Sequence, residues 1–312
     1  MSRIHVLHEN PAWLPPLAEA FDRHALPWTE WLLDEGAFDL SAPPPPGVFY
    51  NRMSASSHTR DHRFSAELTA AVLAWLAGHG RRVVNGSGAL DLEISKARQY
   101  AALETAGVAT PRTVLVAGRS RVVPAATAYF TSGPVILKPN RGGKGLGVRL
   151  FQDVVSLAAY MDGPDYDPPV DGLHLLQEYV RAAQPSITRA EFVGGRFLYA
   201  VEVDTSDGFE LCPADVCAVP DATPKFQILD GIDRTLQTRL ERFLAAAGIE
   251  VAGIEFIAGS DGRVLTYDVN TNTNYNPDAE QAAGRAGTDR SGPGALAAFL
   301  GGELVALRSQ AA

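Results

Sequence analysis

The residues of this chain best suited to chemistry are a lysine and the glycine-rich loop that follows it. Lys138 ends an apolar run with β-strand character, and residues 140–147, four of them glycine, come directly after it. Such a loop has little side-chain bulk, so its backbone N–H groups can close around a phosphate. The chain contains only four lysines and uses arginine for its other basic positions, apart from histidine. Because lysine and arginine are not interchangeable, this indicates a specific role for the retained lysines Lys96, Lys138, Lys144 and Lys225.

The order of elements around the loop distinguishes between kinds of phosphate site. A Walker A loop ends in Lys-Ser or Lys-Thr and opens a helix, and a dinucleotide fingerprint also needs a helix after the loop. Here residues 148–151 have the pattern of a second strand. The segment therefore favours a β-hairpin that covers the phosphates of a nucleotide. The alternative is an ordinary glycine-rich hairpin turn.

A second group of polar residues lies on a predicted hairpin further along the chain. Alternate side chains of a strand share a face, so Asp268 and Asn270 point the same way, and Glu255 lies on the neighbouring strand. Carboxylate and amide oxygens are the ligands that Mg²⁺ prefers, together with substrate phosphate. These three residues are therefore candidate metal ligands. The alternative is a solvated polar face.

Length, charge and cysteine content narrow the class of protein. With 312 residues the chain is long enough for two or three small domains, and its 46% apolar content is ordinary for a soluble globular protein. A net charge of −9 argues against nucleic acid as the main partner. No apolar run approaches about 18 residues, so no membrane-spanning helix is expected. Cys212 and Cys217 are interpreted as reduced cysteines of a cytoplasmic protein.

The elements that must position these residues divide into three predicted units. Residues 1–87 alternate strand-like and helix-like segments, which predicts a small parallel α/β domain. Residues 88–180 form a central lobe that opens with one helix over 88–107 and contains the glycine loop, a helix over 154–161 and a closing strand. Residues 181–312 form the last lobe, with two hairpins, a helix over 236–247 and a C-terminal helix over 294–308.

An ordered set of short motifs between about residue 85 and residue 275 resembles the ATP-grasp ligases. The likeness is greatest to the branch that contains the ribosomal-protein glutamate ligase, the RimK-like carboxylate–amine ligases. A single match carries little weight, but the whole set occurs in the order of the family. The matching motifs are Ser95-Lys96, residues 107–113, Lys138-Pro139, residues 142–148, residues 177–180, Arg189 five residues before Gly194, Glu255, and Asp268 with Asn270.

The resemblance implies an ATP-grasp fold, in which the N-terminal parallel α/β domain is followed by two α+β lobes that clamp ATP. It implies catalytic roles for Lys96 and Lys138, which would neutralise phosphate oxygens, and for Arg189, which would steady the transferred phosphoryl group or the substrate carboxylate. The three candidate metal ligands would hold one or two Mg²⁺ ions, for which Mn²⁺ can substitute. The loop and a hinge strand would bind the nucleotide through Gly142, Gly143, Lys144, Gly145, Gly147, Gln177, Glu178, Tyr179 and Val180.

The reaction implied by the resemblance is formation of an amide or peptide bond through an acyl phosphate. The substrates would be a small carboxylate and an amine, such as amino acids or peptides. A phosphotransferase on the same scaffold and a nucleotide-binding regulatory protein without turnover stay open as alternatives. Relatives often associate, so a homodimer is compatible with the family. Candidate substrate contacts are Asn51 and Arg52, at the end of a predicted strand, and Asn272 and Asn274, beyond the metal strand.

Two departures from the pattern of the family bear on the nucleotide. Asp268 stands where many relatives carry Glu, so its carboxylate reaches one methylene less far. Residues 181–183, Arg-Ala-Ala, follow the hinge where several relatives place an acid for the ribose. Both departures leave the nucleotide preference open.

Overall fold

The N-terminal part of the protein folds around a parallel sheet, as predicted. This computed structural model describes residues 2–143, 145–206 and 225–310, so predictions about Lys144, Cys212 and Cys217 lie outside it. The elements of this part are β1 (Arg3–His8), α1 (Pro15–Arg23), β2 (Trp28–Leu32), β3 (Gly47–Asn51), α2 (Ser65–Gly78) and β4 (Arg82–Val84). The strand order is β2-β1-β3-β4, with every pairing parallel. Strand β3 is buried at all its positions, as expected of a parallel strand covered on both faces.

The single helix predicted over residues 88–107 is wrong, because the segment forms two helices, α3 (Ser87–Glu93) and α4 (Lys96–Thr105). Ser95 causes the break, since its backbone is extended and its side chain accepts a hydrogen bond from the N–H of Arg98 at 3.4 Å. Lys96 thereby becomes the first residue of α4. Its backbone N–H donates to the carbonyl of Asn140 at 3.1 Å, which docks α4 against the start of the glycine loop.

The central lobe contains an antiparallel sheet in which the glycine loop is a hairpin connection, as predicted. Its elements are β5 (Thr113–Ala117), α5 (Arg119–Tyr129), β6 (Val135–Pro139), β7 (Arg149–Phe151), α6 (Val154–Asp162) and β8 (Leu173–Glu178). The strand order is β5-β8-β6-β7. Helix α6 starts with a capping box between Asp153 and Ser156, at the predicted position. Helix α5 was not predicted, and the internal Pro124 obscures its pattern.

The last lobe is built on a second antiparallel sheet. Its elements are β9 (Ser186–Val193), β10 (Arg196–Asp204), β11 (Phe226–Leu229), α7 (Arg234–Ala247), β12 (Val251–Ala258), β13 (Val264–Asn270), α8 (Pro277–Ala282) and α9 (Gly292–Gln310). The strand order is β11-β10-β9-β12-β13. Gly194 and Gly195 have φ angles of 60° and 70°, so the β9–β10 turn uses the left-handed backbone conformation that glycine tolerates. Both predicted hairpins, β9–β10 and β12–β13, are confirmed.

The C-terminal helix packs on the N-terminal sheet. Leu296, Leu300 and Leu304 of α9 share one buried cluster with Ile4 and Val6 of β1 and with the apolar side of α1. Helix α2 contributes to a separate cluster that also contains Leu7 and Phe49. The sheet is therefore enclosed by helices from both ends of the described chain. The predicted boundaries 1–87, 88–180 and 181–312 stay predictions. Across the described residues, no helix combines the length and apolar character needed to cross a membrane.

Candidate functional site

A cleft of about 570 Å³ lies where the central sheet and the last sheet face each other. One part of its wall is apolar and suits a flat base, and another part carries charged side chains that suit a phosphate chain. The apolar residues include Ile136, Val148, Leu150, Ile187 and Ile257. The charged residues include Lys96, Lys138, Glu255 and Asp268, four of the residues singled out from the sequence.

Lys138 projects from β6 into a buried polar pocket. Its Nζ donates to Oε1 of Gln177 at 3.0 Å and also to the hydroxyl of Tyr100, whose ring centroid is 5.0 Å away. The Tyr100 hydroxyl in turn donates to the carbonyl of Tyr267 at 2.8 Å. Burial lowers the pKa of Lys138 to about 7, and the positive charge of Lys96 acts in the same direction. Among the described residues, the hydrogen-bond partners of the Lys138 amine are neutral, and no carboxylate is bonded directly to it.

Lys96 reaches the same cleft from the first turn of α4. Its Nζ forms an ion pair with Oδ1 of Asp268, a residue of β13. Burial acts to raise the pKa of Asp268, but the ion pair with Lys96, together with the positive charges of Lys138 and Arg189, outweighs it and holds that pKa below its usual range. The two predicted phosphate lysines thus meet the predicted metal strand in one cleft.

The three candidate metal ligands come together on β12 and β13. Glu255 pairs directly with Asp268 across the two strands, and Nδ2 of Asn270 lies 3.5 Å from both carboxylates. Burial raises the pKa of Glu255 to about 7, although Arg189 opposes the shift. Rotating the Asn270 amide would present its oxygen at the same place. The set therefore offers the hard oxygen donors that a magnesium ion requires.

Metal clusters of the other common kinds are not found in the part of the chain that the structure describes. Within residues 2–143, 145–206 and 225–310, no three His, Cys, Asp or Glu side chains gather where they could hold a metal ion. The candidate site has two carboxylates, so it depends on the amide of Asn270 and on oxygens brought by a substrate.

Arg189 lies on β9 behind Glu255 and not in the wall of the cleft. Its NH1 donates to Oε1 of Glu255 at 2.7 Å, its Nε to Oε1 of Glu191 at 2.7 Å, and its NH2 to the hydroxyl of Thr273 at 2.8 Å. Gly253 makes room for it, because a Cβ there would lie 2.4 Å from NH2. Glu191, Thr273 and Gly253 were not among the site residues predicted from the sequence. Glu191 had a signal, since it is a charge two residues from Arg189 on a strand face whose other residues, Ile187 and Val193, are apolar.

The predicted hinge lines the cleft at the end of β8. The side chain of Gln177 points inwards to Lys138, whereas the carboxylate of Glu178 binds the guanidinium of Arg263 at 3.0 and 3.2 Å. Tyr179 and Val180 continue the wall. The structure therefore places all four residues of the predicted hinge in the lining of the cleft.

The glycine loop closes another side of the cleft. Gly142, Gly143 and Gly145 line it, and Gly145 and Gly147 have φ angles of 69° and 75°. Gly147 does not line the cleft, and a Cβ there would lie 3.2 Å from the Pro139 ring. The loop conformation therefore depends on glycine at positions that a side chain would strain.

The candidate substrate residues divide into two groups. Arg52 donates from Nε to Oδ1 of Asn272 at 3.1 Å and from NH2 to Oδ1 of Asn274 at 2.8 Å, so these three side chains are brought together. They lie outside the residues that line the cleft. Asn51 instead donates to the carbonyl of Asn85 at 2.9 Å and accepts from a backbone N–H two residues later. Both of these contacts of Asn51 lie within residues 1–87, the predicted N-terminal domain.

Comparisons with solved structures identify the fold. The chain is similar to the ATP-grasp ligase PsnB, with 18% identity and a TM-score of 0.67 over 98% of this chain and 99% of that one. It is also similar to a RimK domain ATP-grasp protein from Sphaerobacter thermophilus, with 18% identity and a TM-score of 0.65 over 95% and 99% of the two chains. D-cycloserine synthetase DcsG matches at 18% identity and a TM-score of 0.65 over 97% and 99%. No family model and no curated protein matches the chain. The protein therefore has the ATP-grasp fold.

Proposed function

We propose that the protein is an ATP- and Mg²⁺-dependent carboxylate–amine ligase that forms an amide or peptide bond through an acyl phosphate. The observation that carries the proposal is the meeting of Lys96, Lys138, Glu255 and Asp268 in one cleft beside a glycine hairpin. Two cations suit a polyphosphate, and the carboxylates suit the metal that accompanies it. The ATP-grasp fold and its ligase neighbours support the same conclusion.

The residues of the cleft divide the work of binding ATP. The apolar wall takes the adenine, and the backbone around Tyr179 and Val180 provides its hydrogen-bond partners. Lys96 and Lys138 neutralise phosphate oxygens, and the backbone N–H groups of the glycine loop cover the same phosphates. A magnesium ion held by Glu255, Asp268 and Asn270 would spread the charge that develops on the transferred phosphoryl group. Arg189 lies behind this set and holds Glu255 in place.

The proposed reaction has two steps. An oxygen of the substrate carboxylate attacks the γ-phosphorus of ATP, and the bond to ADP breaks to give an acyl phosphate. The amine then attacks the carbonyl carbon, the bond to phosphate breaks, and the nitrogen loses a proton as the amide forms. The chain positions the reactants and stabilises charge without becoming covalently attached. Closure by the glycine loop keeps water from the acyl phosphate.

The proposed substrates are an amino acid or a short peptide. Similar structures of PsnB are complexes with a minimal precursor, Mg and ADP, and with the precursor peptide PsnA2 and AMPPNP. In this chain Arg52, which lies outside the lining of the cleft, is the proposed contact for a carboxylate, because its acceptors among the described residues are the neutral groups Asn272, Asn274 and a backbone carbonyl. A buried guanidinium with neutral partners gains most from an anion. Asn272 and Asn274 would hold its orientation.

The test is formation of ADP and hydroxamate, with hydroxylamine as a general amine and a panel of amino acids and dipeptides as acids. A hydroxamate that requires one particular carboxylate and Mg²⁺ supports an acyl phosphate and identifies the acid. It should disappear in Lys138→Ala and Asp268→Asn. Asp261→Asn is the matched control, since Asp261 lies on the exposed turn of the same hairpin and pairs with Arg263.

Other outcomes count against the ligase. ADP together with a stable phosphorylated acceptor would make the protein a phosphotransferase. Binding of ATP without turnover on the full panel would favour a regulatory protein.

A further inference from the structure

Three layers of side chains extend inwards from the cleft, and the first of them is part of its charged wall. Glu255 lines the cleft, Arg189 lies behind Glu255, and Glu191 with Thr273 lies behind Arg189. Glu191 is only 1% exposed and is absent from the wall of the cleft. It therefore cannot touch a substrate or a cation in this arrangement, yet it is a buried acid within the same network.

The contacts around Arg189 form a closed ring. Arg189 donates to one oxygen of Glu191 and to the hydroxyl of Thr273, and that hydroxyl donates to the other oxygen of Glu191 at 2.7 Å. Each of the three side chains therefore restricts the orientation of the other two. Arg189 and Glu191 are two residues apart on β9, a strand paired on both edges, so their backbone positions are also fixed.

The carboxylates of Glu191 and Glu255 both bind the guanidinium of Arg189, but only that of Glu255 also lines the cleft. Arg189 engages Oε1 of Glu255, and the same carboxylate has a second oxygen that can serve a cation. When Glu255 serves a cation, Arg189 would lose much of its counter-charge if Glu255 were its sole acidic partner. Removing the counter-charge of a buried cation is strongly unfavourable. Glu191 prevents this, because it stays bound to Arg189 by a charged hydrogen bond.

We propose that Glu191 and Thr273 are positioning residues, which hold Arg189 so that Arg189 can aim Glu255 at the divalent cation. The inference rests on the proposed function for the identity of the cation. Glu255 is the ligand that this support orients, and Glu191 is the permanent counter-ion of Arg189. Partners that orient metal ligands commonly change metal affinity or activity by about 10–100-fold when they are removed.

The decisive experiment measures Mn²⁺ binding to the ADP complex by electron paramagnetic resonance, with ADP affinity measured separately in EDTA. Glu191→Gln keeps the shape of the side chain and removes its charge. We expect its Kd for Mn²⁺ to rise at least about tenfold. Its ADP affinity without metal should change less than about threefold, because Glu191 does not line the cleft. In the hydroxamate assay the loss should be in kcat, with KM for ATP nearly unchanged.

Two controls separate positioning from a general loss of structure. Glu280→Gln alters another buried acid of the same lobe, bound to the Tyr199 hydroxyl and the Gly292 N–H, and should leave Mn²⁺ affinity unchanged. Thr273→Ser keeps the hydroxyl and should behave like the wild type, whereas Thr273→Val should follow Glu191→Gln. If Glu191→Gln fails to fold, the comparison of Mn²⁺ affinity between Thr273→Ser and Thr273→Val tests the proposal instead.

The proposal is overturned if Glu191→Gln binds Mn²⁺ like the wild type, or if Glu280→Gln shows an equal loss. It is also overturned if folded Thr273→Val keeps wild-type Mn²⁺ affinity. These binding measurements need no turnover. A wild type that binds Mn²⁺ and ADP but forms no hydroxamate would therefore count against the ligase while leaving the positioning roles testable.

Discussion

Lys138 should take up a proton when a nucleotide binds at pH 8. Burial lowers its pKa to about 7, below the ordinary value of 10.5, so much of the amine is neutral before binding. A polyphosphate beside the amine stabilises the charged form and raises its pKa. Nucleotide binding must then draw a proton from the buffer, and the uptake must increase as the pH rises above 7.

The size of the effect follows from that pKa of about 7. About 90% of the amine is neutral at pH 8 and about 10% at pH 6, so the expected uptake is about 0.9 and about 0.1 proton per nucleotide. Because binding takes up protons, the Kd should rise with pH, by about eightfold per pH unit near pH 8. Glu255, with a pKa of about 7, is mostly ionised at pH 8, and any proton that it takes up beside the phosphates is measured separately as the uptake that persists without the Lys138 amine.

The assay is isothermal titration calorimetry with ADP and EDTA at pH 8, repeated in buffers of different ionisation enthalpy. The phosphates of ADP are essentially ionised at this pH, so they add little to the proton count. Lys138→Met is the control and should lower the uptake by about 0.9 proton per nucleotide even if it weakens binding. Uptake near zero in the wild type, or equal uptake in Lys138→Met, would refute the account of a buried, largely neutral lysine.

Three further changes test other parts of the structure. Asn85→Ala removes four side-chain hydrogen bonds that join the N-terminal domain to the last lobe, and should lower the free energy of unfolding by about 3 kcal/mol in urea titrations. Gly253→Ala places a Cβ against Arg189 and should reduce kcat about 100-fold in the hydroxamate assay, with near-normal ADP binding in EDTA. Arg82→Ala breaks two ion pairs that are about one-third exposed, so its cost should be about 1 kcal/mol or less and smaller still in high salt.

Local patterns predicted much of the fold. The parallel N-terminal sheet, the glycine hairpin and the hairpin with Glu255 and Asp268 each depend on strand periodicity and turn residues that lie close together in sequence. The break between α3 and α4 at Ser95 also depends on local sequence. It was not predicted, because the helical spacing of apolar residues continues across Ser95 and conceals its role as the N-cap of α4. Helix α5 had no clear pattern, because Pro124 interrupts it and only Val122 and Ala126 of its side chains are buried.

The contacts of Arg189 with Glu191, Glu255 and Thr273 could not be predicted from local sequence patterns. Arg189 meets Glu255 and Thr273 from positions 66 and 84 residues away in sequence, and no spacing rule joins those segments. The resemblance to ATP-grasp ligases named many of the residues that line the cleft. It did not name Glu191, since that residue contacts Arg189 and not the cleft. The roles of all the site residues stay predictions until the binding and turnover experiments are made.

The packing of α9 on the N-terminal sheet has a consequence for synthesis on the ribosome. Ile4 and Val6 are translated about 290 residues before Leu296 and Leu300, which cover them in the finished protein. Until α9 emerges, one face of the first sheet lacks part of its cover and presents apolar surface to the cell. We therefore expect residues 1–87 to depend on α9 for stable folding, and chaperones that recognise apolar surface to bind the nascent chain during that interval.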